Sequence, residues 1–291
     1  MKNRMEALGH WFFYVTMRFL GHRSGTILLI PVIFTYVLVS CKIRKTVRHY
    51  LVHRFPGERG FKYWLYTFKN VYAFGHVLVD RGWLGIKKNG RFECDLLGYT
   101  TLEELIEREK GVVLLTAHVG NWQSALAHLG GLPVKVYALM QYNQQAAAKH
   151  YFDIKGEKRA FEIIDAEGPF GGMIDAAAAL QRGEVVTIMG DRYIKGSFST
   201  VSFLGESMRL PDAAYMLAAT AGAPVVVLLA AKTGTKSYQL KVWDHFYPCY
   251  TNREDRARML QECAGKYSSA IEEYLKEHPF QWYNFYNFWK Q

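Results

Sequence analysis

The 291-residue sequence lacks most of the short motifs that assign a chain to a functional class directly. Its four cysteines, Cys41, Cys94, Cys249 and Cys263, are scattered and form no C-x-x-C pair. That spacing excludes a cysteine-based metal site and a disulfide framework, and leaves four buried, small, apolar thiols in a reducing compartment as the expectation. The glycine cluster Gly168-Pro169-Phe170-Gly171-Gly172 has neither G-x-G-x-x-G spacing nor a following Lys-Ser/Thr, so no phosphate-cradling loop is expected. No G-x-S-x-G elbow is present, which argues against an α/β-hydrolase. There is no internal repeat and no low-complexity linker. The uncharged run at residues 26–41 falls short of the roughly 20 residues of a spanning helix and contains Pro31. The basic start (Lys2, Arg4) and the apolar patch at residues 11–15 lead into Arg18, His22 and Arg23, where a signal peptide would have a small-residue cleavage site.

What is abundant is positive charge and aromatic surface. Lys and Arg outnumber Asp and Glu by 36 to 26, giving a formal charge of +10, while half the residues are hydrophobic and 15% aromatic. Such a balance suits a polyanionic partner, either nucleic acid or an anionic membrane. The placement of the charge separates the two. Lys42, Arg44, Lys45, Arg48, His49, His53 and Arg54 are interleaved with Ile43, Val47, Tyr50, Leu51 and Val52, directly after the apolar run. An apolar helix followed by a basic amphipathic one is built to lie on an anionic bilayer, and no nucleic-acid-binding signature accompanies it. Residues 1–60 therefore read as membrane-associating helices and residues 61–291 as a single larger domain. Tyr63, Trp64, Tyr66, Phe68, Tyr72 and Phe74 fall on a helix predicted from residue 61 to about 84, where they are expected to be core.

From residue 91 onward, short β-branched runs alternate with helical patterns. Strands are expected at residues 91–94, 111–115, 134–140, 161–165, 183–189, 223–230 and 238–243. Thr100 or Thr101, with an acidic residue three on, gives a capping box, a helix starts at Trp122, another carries Lys149, His150 and Tyr151, and an Ala-rich one covers residues 173–181. This alternation predicts an α/β fold, a mostly parallel central sheet flanked by helices. The aromatic tail at residues 278–289 suits either a core cover or an interfacial belt, the core being favoured.

The strand at residues 111–115 runs into Thr116-Ala117-His118-Val119-Gly120-Asn121-Trp122-Gln123. His118 thus emerges at the carboxyl end of a parallel strand, the edge at which open α/β sheets bind ligands, close to helix N-terminal N–H groups. That is an address for a general base; a histidine satisfying a buried hydrogen bond is the alternative. Another strand ends in Gly190-Asp191-Arg192, an adjacent acid and base that suit either an ion pair or a functional role at the same edge. The other histidines have no partner spacing and are expected in surface or structural positions.

With these residues in place, the chain resembles bacterial acyltransferases of the lipid A late-acyltransferase type, within the lysophospholipid acyltransferase superfamily. The likeness rests on residues 118–123, on 189–192 through Ser202-Phe203-Leu204-Gly205, and on Pro211 with residues 221–226, and it covers most of residues 10–289. It implies transfer of a fatty acyl group from an acyl-carrier-protein or acyl-CoA thioester to a hydroxyl or amine of a membrane lipid or glycolipid. No bound cofactor or metal is required. Candidate acceptors are a lipopolysaccharide precursor, a glycolipid, an aminolipid or a pigment lipid, at the cytoplasmic face of a bacterial inner membrane. His118, Gln123, Asp191 and Arg192 become the catalytic candidates. Asn121, Trp122, Phe203, Gly205 and Arg209 become the substrate-binding ones, Phe203 and Gly205 chiefly as loop-shaping residues. Arg209, and after it Lys195, are further candidate cations for an oxyanion or phosphate. The family motif places Asp or Glu where this chain has Gln123. Three readings follow: an active enzyme using the Gln123 amide, an enzyme borrowing a carboxylate such as Asp191, or a non-catalytic lipid-binding protein.

Overall fold

A computed structural model describes residues 2–86, 92–108, 111–122, 129–141 and 161–289. The chain divides into two compact units. Among the described residues, the first takes in everything through Phe92 together with Tyr283–Tyr286, and the second takes in the rest.

The first unit is helical: α1 (Lys2–Leu20), α2 (His22–Val39), α3 (Cys41–Arg54) and α4 (Phe61–Ile86). The fourth helix thus groups with the first three, and the first unit runs through Phe92. On α2 the buried positions Leu29, Ile33 and Val37 recur every fourth residue, which makes one stripe facing α4. Its remaining surface is apolar and exposed, with Ile27, Ile30, Val32, Phe34, Leu38 and Val39 all open to the surroundings. The expected apolar run is therefore one continuous helix, with Pro31 inside it, and among the described residues it is the one helix long and apolar enough to cross a membrane. The α4 aromatics are mostly half-buried instead of core. Phe61, Trp64, Phe68 and Tyr72 stack ring on ring at 5.5–6.0 Å, because residues three and four apart share a helix face. His22 proves structural: its Nε2 lies 2.6 Å from Asp80 Oδ1, a buried pair joining α2 to α4.

The second unit is built on a seven-stranded sheet, with β1 Glu93–Leu97, β2 Val112–Thr116, β3 Val136–Met140, β4 Glu162–Asp165, β5 Val185–Met189, β8 Val225–Lys232 and β9 Ser237–Phe246. Their order is β1-β9-β8-β2-β5-β3-β4, and every neighbouring pair is parallel except β8 with β9. The central strands β2 and β8 are buried almost along their length, as apolar runs covered on both faces must be. Described helices of this unit are α5 (Tyr99–Arg108), α6 (Met173–Gln181), α7 (Ala213–Ala221) and α8 (Arg253–Glu277). The helices expected after His118 and around His150 fall almost wholly outside the described residues.

One element lies outside the strands expected from sequence and one expectation needs correction. Residues 198–211 form a hairpin, β6 (Phe198–Phe203) with β7 (Glu206–Pro211), whose turn falls at Leu204 and Gly205. The polar side of β6 hides the signal: Phe198, Thr200 and Ser202 point out while Ser199, Val201 and Phe203 point in. The cysteines are also not uniformly buried. Cys263 is, Cys94 is partly so, and Cys41 and Cys249 are exposed, all four as free thiols. Cys41 opens the first turn of α3, where its sulfur meets the Arg44 guanidinium at 3.0 Å, and Cys249 lies beyond the end of β9.

Two glycines bring the backbone at the carboxyl edge of the sheet into close contact. A Cβ on Gly190 would lie 2.6 Å from Leu115 Cδ1 and 3.1 Å from the Tyr267 ring. Gly120 has φ +49°, and a Cβ there would lie 2.1 Å from the Ala230 carbonyl oxygen. Gly205, in the β6–β7 turn with φ +85°, has open space around it. Gly120→Ala is accordingly expected to destabilise by about 2–4 kcal/mol, from backbone strain plus overpacking, and Gly205→Ala by about 1–2 kcal/mol from strain alone. Denaturant unfolding of the two variants measures the difference; equal losses would contradict the close approach at Gly120.

Candidate active site

The site follows from sheet register. Strands β2 and β5 are parallel neighbours with Thr116 opposite Met189. His118 and Asp191 each come two residues later, so they leave the same edge side by side, on strands about 4.8 Å apart. Their side chains pair, with His118 Nδ1 at 2.7 Å from Asp191 Oδ1. The other carboxylate oxygen, Oδ2, accepts the backbone N–H of His118 at 3.0 Å and the indole N–H of Trp282 at 2.9 Å. Asp191 is fully buried, whereas the His118 side chain keeps 23% of its surface accessible.

The three N–H contacts explain how a charge survives there. Burial is the largest influence on the Asp191 carboxyl and by itself pushes its pKa up. The His118 imidazole, through its hydrogen bond and its charge when protonated, acts in the opposite direction with the Trp282 N–H and the Arg192 guanidinium, and together they hold it well below the usual carboxylate range. An ionised acceptor at Nδ1 places the ring proton on that nitrogen and leaves the lone pair on Nε2, the arrangement a general base needs.

Helix α8 and the segment after it hold the frame. The Tyr267 hydroxyl donates to the Thr116 carbonyl at 2.7 Å, and the Tyr274 hydroxyl to the Ala230 carbonyl at 3.0 Å. Burial pushes the Tyr267 phenol well above its ordinary value, so it remains a neutral donor. Beyond α8, Trp282 bridges to Val119, and the Gln281 carbonyl accepts from Gly120 N–H at 3.0 Å. Sequence reasoning missed Trp282 and Tyr267. Trp282 carries no local signal beyond the aromatic density of the tail, and Tyr267, on α8, carries none.

The remaining candidates are dispersed. Gln123 lies outside the described residues. Arg192 is half-buried at the end of β5, next to Asp191. Asn121 is buried and its amide donates to the Tyr238 hydroxyl at 3.3 Å. Trp122 lines a small apolar crevice against the sheet with Leu114, Thr187 and Leu228. Phe203 is fully buried, its ring centroid 5.1 Å from that of Trp282, so it packs behind the site's indole. Gly205 shapes the hairpin turn with Leu204, both at positive φ. Arg209 sits on β7 with its guanidinium 4.5 Å from the Phe198 ring centroid, and Lys195 is exposed in the loop after β5.

Because the Asp191 pKa is lower folded than unfolded, its contribution to stability is present above the unfolded carboxylate value. It is lost as pH falls below about 4 toward the folded value. Asp191→Asn is expected to cost about 2 kcal/mol at pH 7 and progressively less as the solution is acidified. Urea titrations at neutral and acid pH check this; a cost that does not shrink below pH 4 would contradict an ionised Asp191.

A search of curated proteins gave no match. The profile of the bacterial lipid A biosynthesis acyltransferase family matches residues 81–291, well over half of the chain and inclusive of both His118 and Asp191. The protein belongs to that family and is an acyltransferase.

Proposed function

We propose that this acyltransferase moves a fatty acyl group from an acyl-carrier-protein or acyl-CoA thioester to a hydroxyl or amine of a lipid or glycolipid acceptor, with His118 as general base. The observation that carries the reading is the 2.7 Å contact between His118 Nδ1 and the buried Asp191 carboxylate. Of the readings left open by Gln123, it favours the enzyme that uses Asp191.

The chemistry follows from that pair. The acceptor O–H or N–H loses its proton to His118 Nε2 as its oxygen or nitrogen attacks the thioester carbonyl. Asp191 compensates the positive charge that develops on the imidazole. The tetrahedral oxyanion needs donors, and Arg192 is the cation placed at the same strand end. Collapse expels the thiolate, which takes the proton from the imidazolium, so the base is regenerated and the thiol leaves neutral. No metal or bound cofactor enters these steps. Apolar walls around the fatty chain would contribute about 0.8 kcal/mol for each buried methylene.

The N-terminal unit supports a membrane setting. Helix α2 presents apolar side chains outward, and α3 follows with Lys42, Arg44, Lys45, Arg48 and Arg54. An apolar surface beside a basic helix suits the anionic cytoplasmic face of a bacterial inner membrane, where thioester donors are available.

Lipid mass spectrometry of cells expressing the wild type, His118→Ala or Asp191→Asn tests the reading. The wild type is expected to yield an acylated species that falls roughly 100- to 10,000-fold in both variants. Gln123→Ala is expected to stay within about tenfold of wild type, since an uncharged amide lacks the main electrostatic role. Identical lipid profiles from all of them, with each protein folded and at the membrane, would point to a lipid-binding protein without turnover.

A further inference from the structure

The two oxygens of the Asp191 carboxylate face different donors. Oδ1 meets the His118 imidazole, while Oδ2 takes two N–H donors, one from the His118 backbone and one from Trp282. An oxygen held by two donors cannot swing about the Cβ–Cγ bond without breaking both. The direction of Oδ1, and with it the plane of the His118 ring, therefore depends on those two contacts.

Trp282 is unusually well placed to be one of them. It is 2% exposed, and its ring is fixed by Phe203 and Phe288 at centroid distances of 5.1 and 4.6 Å. Gln281, the residue before it, pins the chain: its side-chain amide donates to the Lys232 carbonyl and accepts from the Lys232 N–H, both at 2.8 Å. The same segment caps the turn after His118 through Val119 and Gly120. Packing alone does not account for an indole aimed at a carboxylate. Among the described residues, the buried indole nitrogens of Trp64 and Trp243 have no hydrogen-bond partner. An indole N–H donates and never accepts, so at Asp191 it is matched to an ionised oxygen.

We propose that Trp282 is a positioning residue of the acyltransferase: its indole N–H holds the Asp191 carboxylate in the orientation that sets the His118 imidazole. The aromatic segment after α8 is then a working part of the site as well as part of the core. This proposal rests on the reading of His118 as general base, and it assigns Trp282 no contact with substrate.

The test measures kcat and KM of the full-length protein in detergent, with palmitoyl-CoA and palmitoyl-acyl-carrier protein as donors and a lipid A precursor as acceptor. Trp282→Phe keeps a ring and removes the N–H. It is expected to lower kcat roughly ten- to a hundred-fold with KM changed by less than about twofold. In an Asp191→Asn background the same substitution is expected to add nothing, because both changes remove one linkage. Should Trp282→Phe fold poorly, benzothienylalanine at position 282 replaces the N–H by sulfur within the same outline and is expected to show the same kcat loss. Undiminished kcat in either replacement, or a loss that multiplies with Asp191→Asn, would overturn the proposal. His118→Ala in the same assay separates the two levels of the argument. If it is inactive while the Trp282 replacements are fully active, only the positioning role falls; if it retains turnover, the base assignment falls and the role of Trp282 with it.

Discussion

Everything at the carboxyl edge of this sheet depends on one buried charge. A fully buried carboxylate is tolerated only when its oxygens are met by donors, since an isolated ion in a low-dielectric interior loses several kcal/mol of hydration. Asp191 meets that requirement with the imidazole of His118, the backbone N–H of His118 and the indole of Trp282. The three donors come from two distant parts of the chain, so satisfying this acceptor fixes the turn after β2 and the segment after α8 together. The glycines follow from the same constraint. Gly190 lets Tyr267 and Leu115 close on the strand end before Asp191, and Gly120 lets the turn after His118 lie against Ala230.

Parallel register is what turns sequence into site. His118 and Asp191 lie 73 residues apart, yet each stands two residues beyond paired strand ends. The apolar runs ending at Thr116 and Met189 were legible, because buried parallel strands must be nearly continuous in hydrophobic residues. That much placed both side chains on one edge. Adjacency of the strands was not legible, since the order β8-β2-β5-β3 is set by crossovers and not by any local pattern. Trp282 was out of reach for a related reason: an aromatic cluster shows its hydrophobicity in sequence, but not which of its indoles finds a carboxylate. Likewise the β6–β7 hairpin, with serine and threonine on and beside its outer face, reads as loop until a partner strand is known. The two exposed cysteines show the same limit, since burial of a small residue depends on neighbours that spacing does not reveal.

The amide at Gln123, where the resemblance implies a carboxylate, takes on a different meaning beside the proposed role of Asp191. A base needs its tautomer fixed and its developing charge compensated, and Asp191 is situated to do both from the strand next door. The N-terminal helices answer to a separate physical demand. Their single buried stripe on α2 and the stacked rings along α4 leave apolar surface outward, which is costly in water and favourable in a lipid interface. The His22–Asp80 pair locks α2 to α4 from within, so the first unit carries that surface on a fixed helical scaffold.

The central claim, that Asp191 holds the Nδ1 proton of His118 and frees Nε2, is tested most directly by nitrogen and proton NMR of ¹⁵N-histidine-labelled protein. The account predicts a far-downfield proton bonded to His118 Nδ1, assigned by its absence in His118→Gln, and displaced or lost in Asp191→Asn. A His118 ring carrying its proton on Nε2, or an Nδ1 proton signal that Asp191→Asn leaves unchanged, would contradict it.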